Sequence, residues 1–207
     1  MRRDAIVRSF FAILCAAALA GSPGCSSGPD AAATADSMGK FGLETAKVND
    51  GIEQALAALE KLVGTQGDDL KGPFEAYTKS VSNLEEQAGV VRNLGDEMKA
   101  RGDEFFKQWE TDETSEVSPE RRAKLSQSYA AIKESMLGAG DAFKPFLASL
   151  KDIQSYLKLD LTRKGLGSVS ELTAAGRKQG AEVKSLMTKV IQEVNSVRGM
   201  LSTKPSS

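Results

Sequence analysis

Apolar residues beyond residue 37 recur at alternating steps of three and four along four successive segments. This spacing places one or two residues per turn on a single face of an α-helix, and it indicates helices that pack against one another. No comparable stretch shows the alternation of apolar and polar residues that a half-buried strand needs. We therefore predict an all-α protein. The apolar faces, called the seams below, run from Met38 to Leu62, from Phe74 to Trp109, from Leu125 to Leu157 and from Gly176 to Leu201.

Helix-starting and helix-stopping residues separate the four segments. Pro73 suits the first turn of a helix, Ser118 suits the capping position before Pro119, and Gly165 is a stop signal. Because the connections are short, sequential helices should be antiparallel neighbours in an elongated up-down bundle or coiled coil. The predicted bundle covers residues 38–203, with helices at about 38–63, 73–112, 119–160 and 168–202.

Small residues occupy one position of the second seam at intervals of seven: Ala88, Gly95 and Gly102. Glycine inside a helix costs about 1 kcal/mol relative to alanine, so its repeated use needs a reason. One interpretation is the close approach of two helices around small side chains. The other is a notch that admits a lipid, another apolar ligand or a partner. These three residues are the candidate ligand-binding residues of the chain.

The first 24 residues have the features of a signal peptide. A basic start, "MRRDAIVRS", precedes the apolar run "FFAILCAAALA" at 10–20. That run is too short to cross a bilayer, which takes about 20 apolar residues. Cys15 lies inside the run and should be removed with it. Cys25 is the only other cysteine, so it has no intramolecular disulfide partner in the mature chain.

Two interpretations of Cys25 remain open. Cleavage after Ala20 would leave Cys25 as a free thiol, whereas Gly24 before Cys25 is similar to a bacterial lipobox, in which the cysteine becomes the acylated first residue. We expect lipidation, because an exposed unpaired thiol is a liability in an oxidising compartment. Residues 25–37 are then the lipidated cysteine and a flexible tether. The expected location is the cell envelope, anchored to a bacterial membrane and facing the periplasm or the exterior.

Composition excludes several kinds of chemistry. The chain has no histidine and two cysteines, which removes the usual histidine-based catalytic triads, zinc sites and di-metal bundle sites. Residues 1–24 hold three arginines and one aspartate, so their loss changes the formal charge from −1 to −3. No basic stripe remains for nucleic acid. We expect no catalytic residues, cofactor or metal, and no enzymatic activity.

Two polar segments are weaker candidates for a site. The segment 103–116 combines Phe105, Phe106 and Trp109 with acidic residues, and we interpret it as core packing followed by a solvated helix end. The segment 155–168 holds several charged residues, including Asp160 at a seam position. We interpret it as a helix that unwinds into a turn, with basic residues near its C-terminal carbonyl groups.

Four stretches carry a resemblance to a known family: "MGKFGLETAK", "GDDLKGPFEAYTKSVSNLEEQA", "FFKQWETD" and "AFKPFLASLKDIQSYLKLDLTRKGLGSVSEL". They resemble the uncharacterised bacterial envelope proteins grouped as domain of unknown function 2959. The resemblance implies a helical, signal-bearing, lipoprotein-like protein and transfers no functional residue. We therefore expect a membrane-tethered structural or protein-interaction module that binds an envelope protein or self-associates. The alternative is a module that binds a lipid or apolar ligand at the notch.

Overall fold

The structure is a computed structural model that describes residues 30–111 and 117–202. Within these ranges the chain forms five α-helices and no strand, which confirms the all-α prediction. The predicted signal peptide and Cys25 lie outside the described residues. The helices are α1 (Ala31–Gly64), α2 (Lys71–Thr111), α3 (Pro119–Leu159), α4 (Arg163–Ser168) and α5 (Ser170–Ser202).

The first helix begins earlier than predicted. The carboxylate of Asp30 accepts a hydrogen bond of 2.8 Å from the backbone N–H of Ala33, which caps the helix. Thr34 and Ala35 in the first turns are already buried. Residues 31–37, which we assigned to the tether, are therefore helical. Alanine is the strongest helix former, but its small side chain gives little signal in a search for large apolar residues.

A fifth helix corrects the predicted count of four. The hydroxyl of Thr162 accepts a hydrogen bond of 3.1 Å from the N–H of Gly165 and caps α4. Leu166 is buried, so this turn packs onto the bundle. Gly165, expected to stop a helix, instead permits a close approach: a Cβ there would lie 2.0 Å from the carbonyl oxygen of Asp160. Glycine is needed at this position for space.

Each long helix packs along two other long helices. The helix α1 packs along α2 and α5, and α3 packs along α5. Ion pairs join Glu53 to Lys184 and Glu60 to Arg177, so residue numbers rise along α1 as they fall along α5. The helices α2 and α3 approach each other closely at fewer positions than the other neighbouring pairs of long helices do.

The seams form the core. Every seam position of α1 from Met38 to Leu62 is buried, and α3 stays one continuous helix through Pro145. In the middle of α2 and α3, however, the seam positions Ala88, Val91 and Met136 are only half-buried. The core is therefore less completely covered between these two helices. None of the described helices has an apolar stretch long enough to cross a membrane.

Candidate ligand groove

A groove with a volume of about 630 Å³ lies between α2 and α3. We call it the α2–α3 groove. Its floor is apolar and comes from the two helices behind it: Phe41, Thr45 and Val48 of α1, with Met187 and Val190 of α5. The hydroxyl of Thr45 donates to the carbonyl of Phe41 at 2.8 Å, so this polar group is already satisfied.

Small residues on both walls explain why the groove is open. Ala88 and Gly89 line it from α2, and Ala139, Gly140 and Ala148 line it from α3. Protein interiors are close-packed when side chains of facing helices interdigitate. Here the facing side chains are too short to fill the space between the two backbones. The groove therefore follows from the choice of small residues on two separate helices.

Hydrogen bonds hold α2 and α3 together at the two ends of the groove. The hydroxyl of Tyr77 donates to the carbonyl of Leu150 at 2.7 Å. Toward the other end, the hydroxyl of Tyr129 donates to the carbonyl of Lys99 at 2.8 Å. Both tyrosine rings are buried. The two helices are thus fixed at their ends and stand apart in the middle.

Two ion pairs also bridge the walls. Lys151 lies 2.5 Å from Glu85, and Lys133 lies 2.8 Å from Asp103. Both pairs are largely exposed, and exposed pairs contribute only about 0–1 kcal/mol each. Their main effect here is to connect α2 with α3 at two defined positions.

The environment of Tyr129 shifts two pKa values in opposite directions. Burial, followed by the charge of Asp103, raises the pKa of the Tyr129 hydroxyl. Burial also acts to raise the pKa of Asp103, but the hydrogen bond and charge of Lys133, with a smaller contribution from Tyr129, more than offset it. The pKa of Asp103 therefore lies below its ordinary value. Tyr129 stays a neutral donor and Asp103 stays an anion at neutral pH.

The rim of the groove is rich in cations. Arg92 and Lys99 of α2 have no carboxylate within ion-pair distance among the described residues, nor does Asp96 have a cation. On the facing rim, Lys144 pairs with Asp141 of its own helix at 2.9 Å. The groove thus combines an apolar floor with a rim that carries free positive charge.

The predicted notch residues lie in two different environments. Ala88 and Gly95 line the α2–α3 groove, and Gly102 does not. A Cβ on Gly102 would lie 2.5 Å from the ring of Tyr129, so that ring fills the space the glycine leaves. The structure therefore places Gly102 at a close helix–helix contact, as in the first interpretation. Gly95 combines both roles, since Met136 and Phe41 also approach it closely.

The two weaker candidate segments form parts of the fold. Phe105, Phe106 and Trp109 are buried, and the ring of Phe106 stacks on that of Tyr129 at a centroid distance of 4.7 Å. Asp160 ends α3, where its carboxylate accepts a hydrogen bond of 2.7 Å from the Thr162 hydroxyl. Residues 112–116 of the first segment lie outside the described residues. Each described part thus has a structural role.

Sequence reasoning missed the α3 wall of the groove. Leu137, Gly140 and Leu147 line it, and none of them belongs to the third seam. A usable signal was present: Gly140 and Ala148 are eight residues apart, so they lie on one face of the helix. Small residues on this face, opposite those of the second segment, would have predicted a gap between the two helices.

The α2–α3 groove offers an environment for an apolar chain. Among residues 30–111 and 117–202, no group of three or more histidine, cysteine or acidic side chains is arranged to hold a metal ion. Burying apolar surface contributes about 25 cal/mol per Å². The binding free energy of an apolar chain in the groove would therefore increase with the apolar area that the chain buries.

Comparison with known proteins identifies a family and nothing closer. No curated protein matches the chain, and no solved structure matches it. A family model matches residues 42–201, which includes most of α1, all of α2, α3 and α4, and nearly all of α5. The match covers well over half of the chain, and the chain therefore belongs to the family described as "Protein of unknown function (DUF2959)".

Proposed function

We propose that the protein is a non-enzymatic, membrane-tethered helical module of the bacterial cell envelope that binds a ligand with a long apolar chain in the α2–α3 groove. The tether is an acylated Cys25. The groove and its apolar floor are the observation that carries the proposal. Its volume of about 630 Å³ falls within the range of about 300–1,000 Å³ typical of small-molecule sites.

The length of the groove suits one acyl chain. On α2 the groove runs from Glu85 to Lys99, which at 1.5 Å per residue corresponds to about 21 Å. The hydrocarbon core of a bilayer is about 30 Å thick, so a lipid chain in one leaflet spans about 15 Å. A single chain therefore fits along the groove with room left at one end for a head group.

Blocking the groove tests the proposal. Gly140 lines it, and a Cβ there would meet no neighbouring atom, so Gly140→Phe should fold and fill the space. Gly138 is the matched control, since its Cβ position is equally open but it does not line the groove. Ala88→Phe blocks the opposite wall.

The measurement is the fluorescence titration of the neutral apolar dye N-phenyl-1-naphthylamine. We expect saturable binding to the unmodified protein and to Gly138→Phe, and at least about tenfold weaker binding to the two blocked variants. Circular dichroism checks that all variants remain helical. Equal binding to blocked and control variants, or no saturable binding at all, would contradict the proposal.

A protein-interaction module is the second candidate function. It is favoured by large apolar side chains exposed outside both the core and the groove: Leu43 is 70% exposed and Leu159 90%. Crosslinking in native membranes tests it. A partner captured equally well by the unmodified protein and by Gly140→Phe would favour this candidate over ligand binding.

A further inference from the structure

We infer that the ligand of the α2–α3 groove is an anionic amphiphile: one long apolar chain that ends in a carboxylate or phosphate head. The inference rests on the proposed function and adds the chemistry of the head group. It is carried by the contrast between the apolar floor and the charged rim of the same groove.

The rim is positive although the chain as a whole is slightly negative. Five cationic side chains line the groove, and four carboxylates either line it (Glu85 and Asp96) or pair with these cations (Asp103 and Asp141), which leaves a local balance of +1, while the formal charge of the whole chain is −1. The cationic side chains are Arg92, Lys99, Lys133, Lys144 and Lys151. An anion at the mouth of the groove thus meets a local excess of positive charge.

Pairing within the protein decides which cations are free to bind an anion. Lys151 is held by Glu85, Lys133 by Asp103 and Lys144 by Asp141. Arg92 and Lys99 have no such partner among the described residues, although Asp96 stands between them on the same helix. They are seven residues apart, or two helical turns, and so share one face of α2. We assign head-group recognition to these two residues.

Ligands of equal chain length distinguish the contribution of the head group to the affinity from that of the apolar chain. Tetradecanoate and tetradecanol differ in the charge of the head, and myristoyl lysophosphatidylglycerol replaces the carboxylate with a phosphodiester. Each is measured by displacement of N-phenyl-1-naphthylamine from the full-length protein, below its micelle concentration. We expect both anionic ligands to bind roughly three- to tenfold more tightly than the alcohol, as expected for partly exposed charges. Whichever anionic ligand binds more tightly identifies the source of the head group.

Charge variants give changes of opposite sign. The double variant Arg92→Gln/Lys99→Gln should remove the preference for anionic ligands, and Asp96→Asn should increase it. Neither should change the affinity for tetradecanol by more than about twofold, since the alcohol carries no charge. Lys79→Gln is the matched control, because Lys79 lies on α2 and does not line the groove. Raising the salt to about 1 M should weaken only the anionic ligands.

Failure of this inference is distinguishable from failure of the proposed function. If the alcohol and the anions bind equally in the unmodified protein, the head-group assignment is wrong while apolar binding stands. If the preference for anions persists in Arg92→Gln/Lys99→Gln, recognition belongs to other residues and the assignment is overturned. If no ligand displaces the dye and the dye itself does not bind, both the inference and the proposed function are wrong.

Discussion

Replacing a helical glycine by alanine should have opposite effects on the stability of this protein at different positions. A Cβ on Gly102 would lie within 2.6 Å of three atoms of Tyr129, whose ring is fixed by stacking on Phe106. A Cβ on Gly138 would meet nothing within 4 Å. Both residues lie inside long helices, so the gain in helix propensity from alanine is the same, about 0.5–1 kcal/mol.

We therefore predict that Gly138→Ala raises the free energy of unfolding by about 0.5–1 kcal/mol. Gly102→Ala should lower it by about 1–2 kcal/mol, because overpacking against Tyr129 exceeds the propensity gain. Urea denaturation followed by circular dichroism measures both values. A stabilised Gly102→Ala variant would show that α2 and α3 can separate at this contact at little cost.

The buried hydroxyl of Tyr77 makes the free energy of unfolding depend on pH in the alkaline range. Burial raises the pKa of Tyr77 well above that of an exposed phenol. In the unfolded chain tyrosine ionises near pH 10. Above that pH the unfolded state loses the proton while the folded state keeps it, so the free energy of unfolding falls as the pH rises.

We predict that this fall, measured by urea denaturation between about pH 9 and pH 11, is shallower in Tyr77→Phe than in the unmodified protein. At neutral pH the same variant should lose about 1 kcal/mol, because the hydrogen bond to the Leu150 carbonyl is gone. An identical pH dependence in both proteins would mean that other groups cause the alkaline loss of stability.

At the scale of elements, the start of α1 is ordered by a single capping residue and a buried face. Asp30 caps the helix, and Met38 is fully buried. We predict that amides of residues 34–38 exchange slowly with deuterium, and that Asp30→Ala speeds their exchange while costing about 1 kcal/mol. Asp36→Ala is the control, since Asp36 lies in the same turns, does not cap the helix and makes only an exposed ion pair with Lys40. Rapid exchange in the unmodified protein would show that these residues belong to the flexible tether and not to α1.

The long helices could be predicted from sequence because each has a seam of large apolar residues. Val48, Ile52 and Leu59 repeat at helical spacing, and all three are fully buried. The elements that were missed depend on small residues. Alanines at 31–33 and glycines at 165 and 167 are helical here because of helix caps and tertiary packing. Neither effect is visible in the spacing of large apolar residues along the sequence.

Of the candidate site, the sequence predicted the α2 wall and missed the α3 wall, because small residues again give little signal. The second segment alone revealed Ala88 and Gly95, whereas the groove exists because α3 also presents small residues opposite them. Whether a gap between two helices stays open depends on what each partner places across it. Gly102 shows this: it lies on the same seam as Gly95, and the ring of Tyr129 closes the space.

For the whole molecule, an acylated Cys25 would hold the groove close to the membrane. Ala31 lies six residue steps beyond Cys25, and a fully extended chain spans at most about 3.6 Å per step, or about 22 Å. Phe41, at the near end of the groove, lies ten residues further along α1, or about 15 Å. A ligand leaving the bilayer therefore has a short path to the groove.

We predict that Cys25→Ser releases the protein from the membrane fraction and removes the acyl mass from the mature chain. Several acyl chains at about 0.8 kcal/mol per buried CH₂ account for firm anchoring, so their loss should be nearly complete. Cys15→Ser is the matched control: it lies in the predicted signal peptide and should change neither the mature mass nor the location. Fractionation and intact-protein mass spectrometry give the two readouts. A Cys25→Ser protein that stays in the membrane fraction with an unaltered mature mass would place the anchor elsewhere and remove the short path to the groove.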